Sequence, residues 1–258
     1  MKKILISLAT IATLTSTLSA DFLRVEAGLG AWAQTNVGFI DVNDADINTD
    51  GRDTSNEKEL TTNYLWAYVK HPIPIVPNVR FEYSKVESEG HGEGTFQGVP
   101  LDGSKTLPTT LEMTQIEVIP YYNVLDNTFW VTLDLGIAVK MIDYKATGRV
   151  QDSFGVFGQE IYNESDSFIA PLPYLRARGQ LPFMDIGVEA IVKYGSMDGN
   201  TFSDMSIKAD YTFDFIPLIQ PGLEVGYRQM IMDAESEDGD TVIDLDFSGL
   251  FFGLMVRF

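Results

Sequence analysis

There is no cysteine in this chain of 258 residues. Its absence excludes disulfide bridges, thiolate metal centres and a lipid-modified N-terminal cysteine. Histidine is nearly as scarce, with His71 and His91 the only two, so little material is left for imidazole-based acid–base or nucleophilic catalysis. Positive charge is short as well: 18 Lys and Arg against 37 Asp and Glu give a formal charge of −19. Such acidity argues against nucleic acid and against direct binding to anionic phosphate surfaces. Past the first twenty residues, no stretch approaches the roughly 18–20 consecutive apolar residues of a transmembrane helix. Any membrane span must then be built of strands, and these cross hydrocarbon only as a closed barrel, because each unpaired N–H or C=O costs several kcal/mol there.

Both ends of the chain carry an export pattern. Lys2 and Lys3 precede an apolar run from Ile4 to about Leu14 and the small-residue stretch Ser16-Thr17-Leu18-Ser19-Ala20. This reads as a cleaved signal peptide, residues 1–20, leaving residues 21–258 as one outer-membrane β-barrel domain. Cleavage removes two lysines and shifts the formal charge from −19 to −21. At the other end, Leu250, Phe252, Leu254, Val256 and Phe258 alternate as the lipid-facing row of a closing strand. A last strand ending on Phe258 implies the barrel-assembly machinery as a partner and places the protein in the outer membrane of a Gram-negative bacterium.

Between the ends, period-two alternation recurs with one apolar and one polar face. Val131, Leu133, Leu135, Ile137 and Val139 oppose Thr132, Asp134, Gly136, Ala138 and Lys140; Ile186, Val188, Ala190, Val192 and Tyr194 oppose Asp185, Gly187, Glu189, Ile191 and Lys193. Ten such segments occur, near 22–34, 60–70, 78–88, 111–123, 128–147, 166–180, 184–196, 201–214, 222–234 and 241–258. The expected fold is all-β: a closed antiparallel transmembrane β-barrel of ten strands, monomeric, with short periplasmic turns (71–77, 124–127, 181–183, 215–221) and long acidic external loops (35–59, 89–110, 148–165). Two places strain the pattern. Pro171 and Pro173 lie inside the sixth segment, where a bulge or a start above the membrane is expected. In the last segment Ile243, Leu245 and Phe247 read as outward, and the change of phase below them calls for a β-bulge at Gly249.

The runs His71-Pro72-Ile73-Pro74-Ile75-Val76-Pro77-Asn78-Val79-Arg80-Phe81, Leu125-Asp126-Asn127 with Thr132-Leu133-Asp134-Leu135-Gly136, and Pro221-Gly222-Leu223-Glu224-Val225-Gly226-Tyr227-Arg228 resemble a family of small Gram-negative outer-membrane β-barrel proteins of unassigned function. The resemblance covers nearly all of the mature chain except the long loops. It implies the compartment and the fold and brings no catalytic residues.

The inward phase carries a charge network: Arg24, Glu26, Arg80, Glu82, Glu117, Asp134, Lys140, Arg176, Arg178, Glu189, Lys193, Lys208, Asp210, Glu224 and Arg228, with Lys70, Asp185, Asp204 and Arg257 on the same phase. Near-balance of signs suggests internal pairing and a largely plugged lumen; selective pores usually show a ring of one sign. Trp32, Trp66 and Trp130 read as inward and add bulk. A narrow, porin-like channel for small solutes is the alternative reading.

The remaining negative charge falls in the loops. Asp46-Ile47-Asn48-Thr49-Asp50-Gly51-Arg52-Asp53-Thr54-Ser55-Asn56-Glu57 fits the calcium-loop pattern, with Asp46, Asn48, Asp50, the Arg52 carbonyl and Glu57 as oxygen ligands. No cofactor is required; a Ca2+ site here would be weak, on the order of 10⁻⁴–10⁻³ M. The partners expected are outer-membrane lipid and lipopolysaccharide, the role structural or surface-interacting. A less favoured hydrolase reading rests on His91 within Glu89-Gly90-His91-Gly92-Glu93.

Overall fold

The computed structural model describes residues 23–42, 45–48, 60–73, 75–96, 99–101, 107–151, 157–182, 184–197, 199–213, 218–235 and 241–258. The expected leader, residues 1–20, lies outside them. Along the chain run β1 (Arg24–Val42), β2 (Ala45–Asn48), β3 (Leu60–Lys70), β4 (Asn78–Phe96), β5 (Val99–Leu101), β6 (Leu107–Thr128), β7 (Val131–Gln151), β8 (Phe157–Gln180), β9 (Ile186–Met197), β10 (Asn200–Thr212), β11 (Gln220–Glu235) and β12 (Thr241–Arg257). Ten of them close a ring in the order β1-β3-β4-β6-β7-β8-β9-β10-β11-β12, every pairing antiparallel. The seam is continuous: β12 returns to β1 with Phe251 opposite Trp32 and Val256 opposite Ala27. The short strands β2 and β5 prolong the wall on the loop side, β2 pairing with β1 and β4, β5 with β4.

Alternation does what strand geometry dictates. Leu29, Leu65, Leu135, Ile137, Val188, Ile207, Leu223, Val225, Leu250, Phe252 and Leu254 are exposed on the outside, while their odd–even partners are buried within. An apolar girdle on this scale on a folded surface is a face for hydrocarbon rather than water. On β7 it runs from Val131 to Met141 and gives way to exposed Asp143 and Lys145. The ten steps from 131 to 141, at about 3.3 Å each and tilted by about 40°, span about 25 Å, the height of the apolar band in outer-membrane barrels.

The structure revises several details. No bulge forms at Gly249, because the β12–β1 register passes through Gly249 opposite Gln34 without a shift. Leu245 and Phe247 accordingly point inward and are fully buried. Odd positions of β12 from Ile243 to Arg257 face the lumen, and the polar residues Asp244, Asp246 and Ser248 stand outside above the belt. Pro171 and Pro173 induce no bulge either: the β7–β8 ladder runs unbroken through them. What they end is the other ladder, since β8 and β9 pair only from Tyr174 downward, as residues without donors require. Trp130 does not fill the lumen but sits with Phe129 in a two-residue turn joining β6 to β7, half exposed. The segment 124–127 belongs to β6, whose register shifts around Leu125. On the loop side the strands extend well into the segments expected as loops, reaching Val42, Phe96 and Gln151.

Candidate functional site

Room for large inward side chains comes from small inward ones. Trp66 on β3 lies opposite Gly28 on β1, and a Cβ added at Gly28 would stand 2.4 Å from the indole nitrogen. Gly187 makes the same kind of space for the Arg178 guanidinium, 2.2 Å from where its Cβ would be. Gly28→Ala is therefore expected to displace Trp66 and cost about 1–3 kcal/mol, measured as a lower urea midpoint together with altered tryptophan emission.

Around Trp66 the charged side chains meet in one connected net. Asp204 accepts a forked pair of hydrogen bonds from Arg228, at 2.9 and 2.6 Å, and one from Lys140 at 2.8 Å. Lys140 also lies 3.0 Å from Glu117, and Lys193 contacts Glu117 at 2.8 Å, Glu82 at 2.6 Å and Asp204 at 3.5 Å. Glu82 pairs with Arg80, which leads to Glu189. That carboxylate accepts from Arg176 at 2.6 Å, while Arg80, Arg178 and Lys208 each stand 3.5 Å away. Arg176 reaches on to Asp134 at 2.6 Å, and Arg178 to Asp210 at 2.6 Å. Arg257 joins Asp210 at 3.8 Å to Glu26 at 3.0 Å, and Arg24 completes that end.

Nine cations and eight anions thus balance to within one charge, and nearly all are buried. Isolated in so dry a place each would be prohibitively costly; paired and hydrogen-bonded, they are tolerated. Aromatic side chains fill in between. Glu224 accepts from the Tyr64 hydroxyl at 2.7 Å, the Trp66 indole at 2.9 Å and Lys208 at 2.8 Å. Lys208 and Arg80 pack over the Trp66 ring at 4.0 and 5.0 Å, Arg176 over Tyr68 at 4.7 Å and Arg228 over Trp32 at 5.1 Å.

Toward the loop end the lumen changes character. Trp32, Val86, Leu111, Met113, Ile142, Met230, Met232, Leu245, Phe247 and Phe251 form an apolar tier above the ionic one. Gln115 bridges the two: its amide contacts the sulfurs of Met113 and Met230, at 3.3 and 3.0 Å, and its oxygen accepts from Lys140 at 3.3 Å. Between the tiers lies a cavity of about 50 Å³ whose lining includes Trp32, Trp66, Arg80, Glu189 and Lys208. Arg80 Nη1 and Glu189 Oε1 stand 3.5 Å apart as an ion pair, and neither makes a hydrogen bond among the described residues, so this pocket suits one or two waters.

All fifteen charges read from the sequence as a lumen network fall in this net, together with Asp204 and Arg257. Lys70 instead pairs with Asp126 at the turn end, 2.5 Å away, and Asp185 is exposed there. The apolar tier was not anticipated. Its signal was present in the even positions of β11, which continue inward past Arg228 to Met230 and Met232. Of the calcium-pattern residues, Asp46 and Asn48 lie in β2, and Asp50, Arg52 and Glu57 fall outside the described residues. Among the described residues no group of three or more His, Asp or Glu side chains is arranged to hold a metal ion. His91 is in β4 rather than a loop, its backbone opposite Asn48 and Pro108.

No family model and no curated protein matches the chain. Among solved structures it is similar to the outer-membrane protease OmpT of Escherichia coli, with 10% identity, 95% of this chain and 99% of that chain covered, and a TM-score of 0.52. The fold is that of a Gram-negative outer-membrane β-barrel. Weaker likenesses to this outer-membrane barrel are the translocator domain of the autotransporter NalP of Neisseria meningitidis (12% identity, 97% and 95% covered, TM-score 0.40) and a Pseudomonas aeruginosa FadL homologue (10% identity, 92% and 90% covered, TM-score 0.33). At such identities the shared feature is architecture alone.

Proposed function

We propose that this outer-membrane barrel is a closed, non-conducting cylinder that serves a structural or surface-interaction role, presenting acidic strand ends to lipopolysaccharide through divalent cations. The observation that carries the first half is the connected ion-pair net. It draws on nine barrel strands, with β3 adding Tyr64 and Trp66, and is capped by the apolar tier, so a solute would have to part both. A cavity of about 50 Å³ is far below the few hundred Å³ of a typical ligand site. The narrow-channel reading has no comparable support, and no residue of the net is assigned a catalytic role.

For the second half, the strand register sets like charges opposite one another on the loop side. Exposed Asp233 on β11 lies opposite exposed Asp244 on β12, and the backbone of Asp46 is in register with Asp41 on β1 and Glu93 on β4. Like charges directly opposite one another destabilise a sheet, and a divalent cation held between them would relieve that repulsion. Of the proposed calcium ligands Asp46, Asn48, Asp50, Arg52 and Glu57, Asp46 and Asn48 lie in β2 at this end, and the other three are outside the described residues. Calorimetry of the refolded barrel with calcium is expected to show weak binding, with Kd on the order of 10⁻⁴–10⁻³ M, reduced in an Asp46→Ala, Glu57→Ala double variant. Identical flat traces for both proteins would remove the cation role.

A further inference from the structure

The turn end of the barrel is apolar where a water-facing rim would be polar. Ile75 and Phe129 are 86% exposed, and Ile73, Val76, Val124, Trp130, Leu181, Met184 and Leu218 are all about half exposed or more. These side chains occur in all four connections at that end, so they form a crown and not a one-sided patch. The belt continues into this crown: outward Val69 leads to Ile73 on the β3–β4 connection, and Val131 leads directly to Phe129. At its edge Lys70 is paired with Asp126 at 2.5 Å and Glu26 with Arg24 and Arg257, while Asp185 is exposed.

Two local devices hold the crown outward. The Tyr122 hydroxyl, on the outer face of β6, donates to the Ile75 carbonyl at 2.9 Å and lays the β3–β4 turn against the outer wall. His71 clamps the same turn, accepting from the Ile73 N–H at Nδ1, 3.1 Å, and bonding the Pro77 carbonyl through Nε2 at 3.0 Å. At the β6–β7 turn the backbone adopts φ of 51° at Phe129 and 65° at Trp130. That left-handed geometry suits Asn-Gly and costs an ordinary residue roughly 1–2 kcal/mol, so the two aromatics are held there against backbone preference.

We infer that this crown is an interaction surface for the inner-leaflet lipid interface, with Ile73, Ile75, Val76, Phe129, Trp130 and Leu218 embedded among glycerol and upper acyl groups. The dimensions place it there. The belt from Val131 to Met141 already accounts for about 25 Å of hydrocarbon, so the turns fall immediately beyond it, at the depth where amphipathic aromatic rings settle. A protein partner on the periplasmic side would cover a patch; a ring continuous with the lipid-facing belt matches a lipid surface.

The absence of cysteine makes the test clean. Ile75→Cys, Phe129→Cys and the loop-side reference Glu235→Cys, at the exposed far end of β11, are each labelled with an environment-sensitive fluorophore. They are then refolded into phosphatidylcholine vesicles with or without lipids carrying a nitroxide near the headgroup. The labels at positions 75 and 129 are expected to be quenched several-fold more by the nitroxide lipid, and several-fold less by aqueous iodide, than the label at 235. In the unlabelled protein, the part of the tryptophan emission lost in Trp130→Phe should respond to the same lipid. Iodide quenching at 75 and 129 equal to that at 235 would overturn the inference and leave the crown facing water, free for a protein partner. Heat-modifiable gel mobility confirms that each variant has closed its barrel, so the outcome is independent of whether the lumen conducts.

Discussion

Asp204→Ala is expected to lower the unfolding free energy of the barrel by about 3–5 kcal/mol. Asp204 is the shared acceptor for Arg228 and Lys140 and lies 3.5 Å from Lys193. Removing it leaves three buried cations around Glu117 and Glu82, and the cost arises from stranded charge more than from lost attraction. The same logic gives a rescue. Truncating Arg228 to Leu in the Asp204→Ala background removes one stranded charge and should restore part of the loss, since apolar replacement of a whole buried pair is often close to neutral. Urea unfolding in lipid vesicles, followed by tryptophan emission, measures both. A change within about 0.5 kcal/mol, as for an ordinary surface residue, would mean that the net carries little of the stability.

Phe247→Ala is expected to cost about 3–5 kcal/mol as well, for a different reason. Phe247 is fully buried in the apolar tier and packs in the same cluster as Trp32, Met230 and Leu245. Its removal forfeits transfer energy and also opens a void that a closed cylinder cannot collapse to fill. Five residues along the same strand, Phe252 faces outward and is 60% exposed. Lipid chains flow into the space left by Phe252→Ala, so only a transfer loss of up to about 2 kcal/mol is expected there. Equal costs at the two positions would contradict the inward phase of upper β12.

That phase is where reading the sequence reached its limit. The lower half of β12 announces itself: Leu250, Phe252, Leu254 and Val256 are apolar, and Gly253 and Arg257 are not. The upper half has apolar residues at 243, 245 and 247 and acids at 244 and 246, and the rule that apolar means outward assigns it backwards. The rule fails because above the lipid belt the environments invert. The outside there is wet and takes Asp244 and Asp246, and the inside is dry and takes Leu245 and Phe247. No bulge is needed once the solvent boundary, rather than the strand, is allowed to change. The ionic tier was legible for the converse reason. At belt height the outside is hydrocarbon, so every charge from Arg80 to Glu224 could point only inward. Trp130 was misplaced because alternation was carried through a turn whose two residues have left-handed backbone. The prolines at 171 and 173 were correctly seen as a disturbance, but a strand has two edges, and only the one toward β9 is lost.

If the cylinder is sealed by its own side chains, as we propose, the current through single reconstituted barrels in a planar lipid bilayer shows it most directly. The expected result is no stable conductance step at moderate voltage in concentrated potassium chloride. A steady open current from the unmodified protein, of uniform step size, would contradict the sealed lumen and revive the channel.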